Sequence, residues 1–416
     1  MSDRTPSLAP DPGFALGPVP DFALGRIPRI TFGAGTFARV PGIVAAHGSR
    51  VLLVTGGRSL AASGRRDALL EGLRAAGATV AGEVAVTGEP SPGVVDSAVA
   101  ANRGAAIDVV LGIGGGSVLD AGKAIAGLLH TGTSVTDHLE GVGPQLPYPG
   151  PAVPLVAVPT TAGTGSEATR NAVISERGPA GYKRSFRDER LVAADAVVDP
   201  DLLAGAEPAR IAANGMDAVT QLLEAYVSLK AGPVTDALAV AGLEAARDGL
   251  LAWHADPDGP AAPAARSRMA YAALLSGICL AHAGLGGVHG LASPLGAQLP
   301  IPHGVACGTT LAGITAANVA ALEARAPASP ALERYATLGR LLARLPETTA
   351  AVAARAALAD TLGAWTAALA IPGLRTFGLD EAGIPAIVAD GRGSSMKTNP
   401  VVLTDEELAE VLRAAL

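Results

Sequence analysis

Residues 112–123 read Gly-Ile-Gly-Gly-Gly-Ser-Val-Leu-Asp-Ala-Gly-Lys, and this glycine loop decides how the N-terminal half of the chain is interpreted. The loop follows the apolar run Ile107–Ile113 and precedes a helical pattern. Glycines expose backbone N–H groups, and the N-terminus of a helix favours an anion. A plain strand-to-helix turn needs only one or two glycines, so the loop predicts a pyrophosphate site. The residues expected to contact the nucleotide here are Gly115, Gly116, Ser117 and Asp120.

Short apolar runs alternate with helical patterns on both sides of this loop. The predicted strands are Arg29–Phe32, Arg50–Thr55, Thr79–Val86, Ile107–Ile113, Val153–Val158 and Ala196–Val198, and the predicted helices between them include Arg65–Ala76 and Val94–Arg103. This alternation indicates an α/β domain with a parallel sheet covered on both faces. Because the glycine loop comes after about four strands rather than after the first, we expect a Rossmann-like variant.

A second polar loop follows the predicted strand Val153–Val158. Residues 159–167 read Pro-Thr-Thr-Ala-Gly-Thr-Gly-Ser-Glu, and their hydroxyl groups suit a ribose, a phosphate or a nicotinamide amide. The alternative is a simple helix cap at Thr164 or Ser166. Two such loops at the ends of neighbouring strands favour a shared cleft, in which Thr160 and Thr161 would contact the cofactor.

The pattern changes after Asp199-Pro200. Helical spacing continues through Ile211–Ser228, Val234–Leu251, Ala262–Ala281, Val305–Ala326, Leu332–Leu345, Ala350–Leu369 and Glu406–Leu416. We therefore expect three segments, namely a flexible Pro/Gly-rich arm at 1–25, an α/β dinucleotide-binding domain at 26–200 and an all-helical domain at 201–416.

Composition narrows the possible partners and compartment. The chain has 416 residues, which exceeds one ordinary core, and its net charge of -7 offers no basic surface for nucleic acid. Its two cysteines, Cys279 and Cys307, make no disulfide framework and fit a reducing cytosol. No signal peptide and no apolar run near the roughly 20 residues of a membrane span is evident. A soluble, cytoplasmic protein without nucleic-acid or membrane partners is expected.

Three of the seven histidines fall between Leu280 and Gly304, at His282, His289 and His303. Imidazole is the commonest neutral metal ligand, and a glycine after a ligand lets the backbone turn tightly. His289 and His303 each precede a glycine in an otherwise apolar stretch. This pattern predicts that these two side chains bind one metal ion.

A carboxylate for the same ion is expected from the predicted helix Met216–Tyr226. Asp217 and Gln221 are four residues apart, so they point from one helix face, and their neighbours are apolar. A buried carboxylate needs a partner, and a metal is one, although a surface or capping aspartate is the alternative. Asp217 with His289 and His303 makes a ligand set acceptable to Fe(II) or Zn(II).

Taken together, these segments resemble the iron-containing (group III) alcohol dehydrogenase family, over nearly the whole chain after the N-terminal arm. The matching motifs are Gly114-Gly115-Gly116-Ser117-x-x-Asp120-x-x-Lys123, Pro159-Thr160-Thr161-x-Gly163-Thr164-Gly165-Ser166-Glu167, Gly215-Met216-Asp217-Ala218, Gly284-Leu285-Gly286-x-Val288-His289-Gly290 and Pro302-His303-Gly304. The resemblance implies that 201–416 is the metal-binding and catalytic domain, with catalysis in the cleft between it and the nucleotide domain. It also implies a cytosolic homodimer or larger assembly, and metal ligation by one Asp and three His. It also makes Lys183 the counterpart of a lysine that touches the cofactor, with a solvated loop charge as the alternative.

The chain departs from the family pattern at two positions. The second ligand position, usually His, is Gln221. Its amide oxygen can bind a hard metal, so Gln221 is a predicted metal ligand, although it donates less well than imidazole does. A further family histidine near the substrate and the nicotinamide is replaced by Ser293. Ser293 and His282 are therefore the candidate catalytic residues, with His282 either carrying the proton or packing at a helix end.

Cofactor preference is expected to depend on Gly56-Gly57-Arg58-Ser59. The resemblance implies that NAD-preferring members have an Asp near the Gly56 position, where it bonds the ribose hydroxyls and repels a 2′-phosphate. This chain has no carboxylate there, so Gly56, Gly57 and Ser59 are predicted to border an NADP(H) site, with NAD(H) as the alternative.

The predicted activity is a metal-dependent, NAD(P)-linked alcohol dehydrogenase or aldehyde reductase. A divalent metal, Fe(II) or Zn(II), would polarise the oxygen of a small alcohol or aldehyde while hydride passes directly to or from the nicotinamide. Three alternatives stay open. They are a metal-independent reductase like the maleylacetate reductases, a lyase like dehydroquinate synthase, and a nucleotide-binding protein without catalysis.

Overall fold

A computed structural model describes residues 21–57, 60, 64–176 and 181–416, and its N-terminal half is built on a six-stranded parallel sheet. The strand order is β1-β8-β5-β4-β2-β3. The strands are β1 (Arg29–Phe32), β2 (Arg50–Gly56), β3 (Thr79–Val86), β4 (Val109–Gly114), β5 (Leu155–Pro159) and β8 (Asp195–Val198). The predicted parallel sheet is therefore confirmed.

Both faces of this sheet are covered, as the apolar runs predicted. Successive side chains of a strand point to opposite faces, so Leu52 and Val54 join one apolar cluster while Val51 and Leu53 join the other. Among the described residues, the helices of this half include α1 (Val40–Ala45), α2 (Arg65–Ala75), α3 (Pro92–Asn102) and α4 (Gly116–Leu128).

The order of the central strands brings the two predicted polar loops together. Strands β4 and β5 are adjacent, with Ile113 opposite Val158 and Gly114 opposite Pro159. The carboxyl ends of parallel strands share one edge of a sheet, where ligands of open α/β sheets bind. The glycine loop and the threonine-rich loop therefore leave the sheet side by side.

An antiparallel hairpin that the sequence pattern did not predict stands apart from the main sheet. It pairs β6 (Asn171–Glu176) with β7 (Tyr182–Arg187). Strand β7 reads Tyr-Lys-Arg-Ser-Phe-Arg, so it lacks the apolar alternation on which strand prediction rests. This hairpin carries Lys183.

The C-terminal half is mostly helical. Its helices are α5 (Pro208–Val227), α6 (Pro233–Ala255), α7 (Ala262–Ala283), α8 (Gly287–Gln298), α9 (His303–Arg325), α10 (Ala331–Leu342), α11 (Ala351–Ala368), α12 (Ile384–Asp390) and α13 (Asp405–Ala414). By length and composition α9 could cross a membrane, but 61% of its most apolar window is buried inside the protein, as in a core helix.

Two of these helices, α8 and α12, were not expected. Helix α8 contains Pro294 and three glycines, which individually disfavour a helix interior. Its buried face, which includes Val288, Leu291 and Leu295, packs into the helical core and overrides that preference. His289 is therefore fixed on a helix rather than on a turn.

Candidate active site

Helix α5 presents Asp217 and Gln221 from one buried face, as their spacing predicted. Asp217 is 2% exposed and Gln221 is 3% exposed. The Gln221 side chain donates from Nε2 to Asp217 Oδ1 at 3.0 Å, and its Oε1 accepts from the Ser276 hydroxyl at 2.8 Å. The amide oxygen that a metal would need thus faces Ser276. In this arrangement Gln221 orients Asp217 instead of offering a ligand atom.

His289 lies in the first turn of α8 with its Nε2 atom 3.4 Å from Asp217 Oδ1. Its other ring nitrogen, Nδ1, bonds to Glu224 Oε2 at 2.6 Å, and Glu224 Oε1 accepts from the backbone N–H of Val288 at 2.6 Å. Metal-binding histidines usually donate their second N–H to such a carboxylate, which fixes the ring and its tautomer. Glu224, which sequence reasoning missed, therefore holds the ring so that the Nε2 atom of His289 faces Asp217.

His303 is the first residue of α9, and its Nε2 atom lies 3.8 Å from Asp217 Oδ1. The rings of His303 and His289 are 5.3 Å apart between centroids. Close packing of α9 on α5 brings these groups together. The two helices are so close that a Cβ on Gly304 would lie 2.0 Å from the carbonyl oxygen of Ala213. This contact explains why a glycine follows His303.

Cys307, one turn after His303 on α9, is a fourth donor that sequence reasoning missed. Its Sγ atom lies 3.8 Å from Asp217 Oδ1, 3.8 Å from His289 Nε2 and 3.9 Å from His303 Nε2. One ligand atom from each of these four residues lies within 4.8 Å of all the others. The His-x-x-x-Cys spacing was the available signal, since residues four apart share a helix face.

The electrostatics of this cluster fit a cation. Burial alone would raise the pKa of Asp217, but the charges of His303 and His289 and the Gln221 hydrogen bond hold it below its ordinary value. Burial, aided by the charge of Lys183, lowers the pKa of His303 to about 4. A carboxylate and a neutral imidazole are the protonation states that bind metal. The chemistry of this donor set thus suits a divalent ion.

Burial acts in opposite directions on the remaining two donors. Burial raises the pKa of the Cys307 thiol to about 11. Burial would lower the pKa of His289, yet Cys307, Glu224 and Asp217 together raise it well above its ordinary value. A bound cation reverses this balance, because ligation removes the protons from a thiol and from an imidazolium.

The glycine loop and the threonine-rich loop touch each other above the sheet. A Cβ on Gly115 would lie 3.2 Å from Thr161 Cγ2, and one on Gly116 would lie 2.6 Å from Thr164 Oγ1. Among the described residues, no side chain caps the N-terminus of α4. The first backbone N–H groups of α4 therefore open toward a space that fits an anionic group.

Asp120, expected to contact the nucleotide, lines the cleft and is also bonded within the protein. Its carboxylate accepts from the Ser166 hydroxyl at 2.5 Å and from the Val173 N–H at 3.1 Å, and it pairs with Lys123 Nζ at 2.8 Å. Lys123 is 1% exposed, and its ammonium also donates to Ser166 O and Thr169 Oγ1. This network fixes the shape of the threonine-rich loop.

Lys183 and the two candidate catalytic residues border the same cleft. Lys183 Nζ pairs with Glu89 Oε1 at 2.5 Å and is largely buried, so it is not a solvated loop charge. His282 bonds through Nδ1 to the Ile278 carbonyl at 2.7 Å in the last turn of α7, which is the geometry of a helix-end histidine. Ser293 faces the cleft from α8.

The cleft lies between the two halves and has a volume of about 510 Å³, within the usual range of ligand sites. Predicted site residues that line it are Gly116, Ser117, Asp120, Lys183, Asp217, Gln221, His282, His289, Ser293 and His303.

The other predicted cofactor residues that the structure describes do not line this cleft. Gly115 packs against Thr161, and Thr160 donates its backbone N–H to Gly114 O at 2.9 Å. Gly56 is the last residue of β2 and Gly57 follows it, at the end of a strand that pairs with β4. Arg58 and Ser59 lie outside the described residues.

Glu167, at the end of the threonine-rich loop, provides a pH-dependent prediction. The side chain is 3% exposed, and burial raises its pKa to about 7 against the opposing effects of its own backbone N–H and Lys123. The folded state therefore binds a proton that the unfolded state releases near the ordinary glutamate pKa of 4.5. Stability from this group is present below that pH and is lost as the pH rises to about 7.

We expect Glu167→Gln to remove this loss. The free energy of unfolding of the variant minus that of the wild type should increase by on the order of 3 kcal/mol as the pH is raised from 4.5 to 8. Urea unfolding at several pH values measures the difference, and Glu71→Gln, at an exposed position, is the control. Parallel pH profiles for wild type and Glu167→Gln would contradict the assignment.

Family models match the chain in two consecutive segments. Residues 28–200 match the iron-containing alcohol dehydrogenase model, and residues 211–416 match the C-terminal model of the Fe-containing alcohol dehydrogenase family.

Individual proteins agree with this match. Lactaldehyde reductase of Escherichia coli is 31% identical over 92% of this chain and 97% of its own length. Alcohol dehydrogenase 4 of Saccharomyces cerevisiae is 40% identical, but the match spans about half of each chain, 51% of this one and 53% of the yeast protein. The crystal structure of sulfoacetaldehyde reductase from Bifidobacterium kashiwanohense in complex with NAD+ matches with a TM-score of 0.80 and 27% identity, over 96% of this chain and 99% of that one.

Proposed function

Because the chain belongs to the iron-containing alcohol dehydrogenase family, we propose that it transfers hydride between a small alcohol or its aldehyde and a nicotinamide cofactor beside one divalent metal ion. Its named relatives, alcohol dehydrogenases and a lactaldehyde reductase, are oxidoreductases that act on CH–OH groups. The observation that carries the proposal is one cleft that joins the donor cluster around Asp217 to the uncapped N-terminus of α4.

Asp217, His289 and His303 would hold the metal in this proposal. When bound there, a divalent ion supplies Lewis acidity toward a substrate oxygen. Glu224 keeps the imidazole of His289 in the ligating tautomer, and Gln221 keeps the carboxylate of Asp217 turned toward both histidines. Iron(II) and zinc(II) are both compatible with these three donors.

The nicotinamide cofactor would lie along the two loops. The bound cofactor supplies the hydride chemistry, while the protein supplies binding and orientation. Backbone N–H groups at Gly115, Gly116 and Ser117 would hold the pyrophosphate, with Thr160 and Thr161 beside it. The complex of the sulfoacetaldehyde reductase with NAD+ supports a dinucleotide in this fold. Lys183, held by Glu89, would reach the cofactor from the hairpin.

The preference for NADP(H) stays a prediction. Strand β2 ends at Gly56 without a carboxylate, which leaves room for a 2′-phosphate.

The proton that accompanies hydride transfer would move between the substrate oxygen and solvent. His282 and Ser293, both on the cleft wall, are the groups proposed to pass it.

The activity can be tested on the full chain loaded in turn with Fe(II) and Zn(II). We expect short alcohols to generate absorbance at the reduced-nicotinamide band, aldehydes to consume it, and chelation to stop both. A higher kcat/KM with NADP(H) than with NAD(H) is expected.

Other outcomes identify the alternatives. Turnover that survives complete metal removal would indicate a metal-free reductase. Binding of NAD(P) without net reduction would indicate a lyase or a nucleotide-binding protein without catalysis.

We also propose a cytoplasmic homodimer. Strand β1 lies at the outer edge of the sheet, and exposed edge strands pair readily with other chains. An apolar strip beside it stays 36–50% exposed and consists of Phe22, Leu24, Ile27, Ile30, Phe32 and Tyr271. Burial of such a strip favours association. A monomer in sedimentation equilibrium at micromolar concentration would contradict the dimer.

A further inference from the structure

The sulfur of Cys307 occupies a defined position relative to the other donors. Its distances to Asp217 Oδ1, His289 Nε2 and His303 Nε2 are 3.8, 3.8 and 3.9 Å. A point almost equally far from three atoms lies over the centre of the triangle that they form. Cys307 Sγ is therefore the fourth corner of a tetrahedron rather than a neighbour at one side.

The size of this tetrahedron fits one small cation. Metal–nitrogen and metal–oxygen bonds near 2.1 Å place tetrahedral ligands about 3.4 Å apart, and a metal–sulfur bond near 2.3 Å places sulfur about 3.6 Å from each of the others. The two nitrogen–oxygen distances are 3.4 and 3.8 Å. These edges and the three sulfur distances therefore exceed the ideal values by at most about 0.4 Å, and the remaining edge, between the two histidine nitrogens, lies within 4.8 Å.

The fold supplies this sulfur where the expected imidazole is absent. Gln221 turns its amide nitrogen to Asp217 and its oxygen to Ser276, so that position offers no ligand atom to the centre. Helix α9 brings Cys307 to the cluster, one turn after His303. The close contact of Gly304 with Ala213 sets the depth to which α9 enters.

We propose that the thiolate of Cys307 is the fourth protein ligand of the metal, in place of the imidazole that the family pattern puts at position 221. The inference rests on the metal site of the proposed function and names its ligand set as Asp217, His289, His303 and Cys307. A tetrahedral set that contains thiolate and imidazole selects Zn(II) over Fe(II). On binding, the S–H bond breaks, its proton leaves to solvent, and sulfur donates an electron pair to the cation without any redox change.

Cobalt(II) substitution tests the sulfur bond directly, without reference to turnover. The metal-free full chain is titrated with Co(II), and bound metal is counted by elemental analysis. We expect one Co(II) per chain and a thiolate-to-cobalt charge-transfer band in the near ultraviolet. Cys307→Ser and Cys307→Ala should both lose the band, whereas Cys279→Ser should keep it, because Cys279 contacts the Thr235 carbonyl and not the cluster.

Zinc affinity provides the second measurement. Loss of a group that only supports a ligand costs 10- to 100-fold in affinity, so loss of the ligand should cost at least about 100-fold. Zn(II) should therefore bind Cys307→Ser at least about 100-fold more weakly, with a smaller loss for Fe(II).

The outcomes separate this inference from the proposed function. One bound Co(II) without the band in the wild type, or a band that persists in Cys307→Ser, would overturn the role of Cys307 while leaving the metal site intact. A wild-type chain that binds no Co(II), Zn(II) or Fe(II) would overturn both.

Discussion

Replacing His289 with alanine is expected to abolish metal binding and to lower kcat/KM at least about a thousandfold. The ring is 6% exposed and sits between Asp217 Oδ1 at 3.4 Å and Glu224 Oε2 at 2.6 Å. Its removal deletes a ligand and leaves the buried carboxylates of Asp217 and Glu224 on either side of a cavity. Lewis acidity contributes several kcal/mol to such reactions, and about 4 kcal/mol corresponds to a factor of about a thousand.

Metal analysis and steady-state kinetics on the same His289→Ala preparation check this result. The matched control is His130→Ala, which removes an exposed imidazole outside the cleft and should leave both quantities unchanged. Near-stoichiometric metal in His289→Ala would contradict the assignment of this ligand. Near-normal turnover without metal would instead favour the metal-free reductase.

Local sequence signals were sufficient to predict the two strand-end loops and three of the residues that cluster in this site. Strands β4 and β5 are buried apolar runs that end in glycine- or threonine-rich loops, so their order along the chain and their loops could be predicted. His289 and His303 were found because a histidine followed by glycine is unusual in an apolar stretch. Asp217 was found because its helix is apolar on both sides. These features depend only on residues a few positions apart.

The remaining parts of the site depend on contacts between distant residues. The orientation of Gln221 is set by Ser276, 55 positions away, and the role of Asp120 is set by Ser166, 46 positions away. Cys307 has no distinctive neighbours in sequence, and its role emerges only when α9 packs on α5. Helix α8 was missed because its proline and glycines signal a loop, whereas burial in the helical core decides its conformation.

The long-range contact with the largest expected effect on stability is the buried ammonium of Lys123. It pairs with Asp120 Oδ1 on the same helix at 2.8 Å. It also donates to Ser166 O at 3.0 Å in the threonine-rich loop, and to Thr169 Oγ1 at 2.9 Å and Asn171 O just after that loop. Its side chain is fully buried, while Asp120 is 13% exposed. Breaking a buried pair from one side leaves the other charge without compensation, and this costs about 3–5 kcal/mol.

Lys123→Met is therefore expected to lower the free energy of unfolding by about 3–5 kcal/mol, a large fraction of the roughly 5–15 kcal/mol typical of native proteins. Chemical unfolding measures the loss, and Lys230→Met, the same change at an exposed position, should stay within about 0.5 kcal/mol of wild type.

Adding Asp120→Asn to Lys123→Met removes the unpaired charge of Asp120, while the asparagine oxygen still accepts from Val173 N–H. The double variant should thus be more stable than Lys123→Met alone by at least about 1 kcal/mol. If the second substitution instead adds its own loss, Asp120 and Lys123 act independently and the threonine-rich loop is held by other contacts.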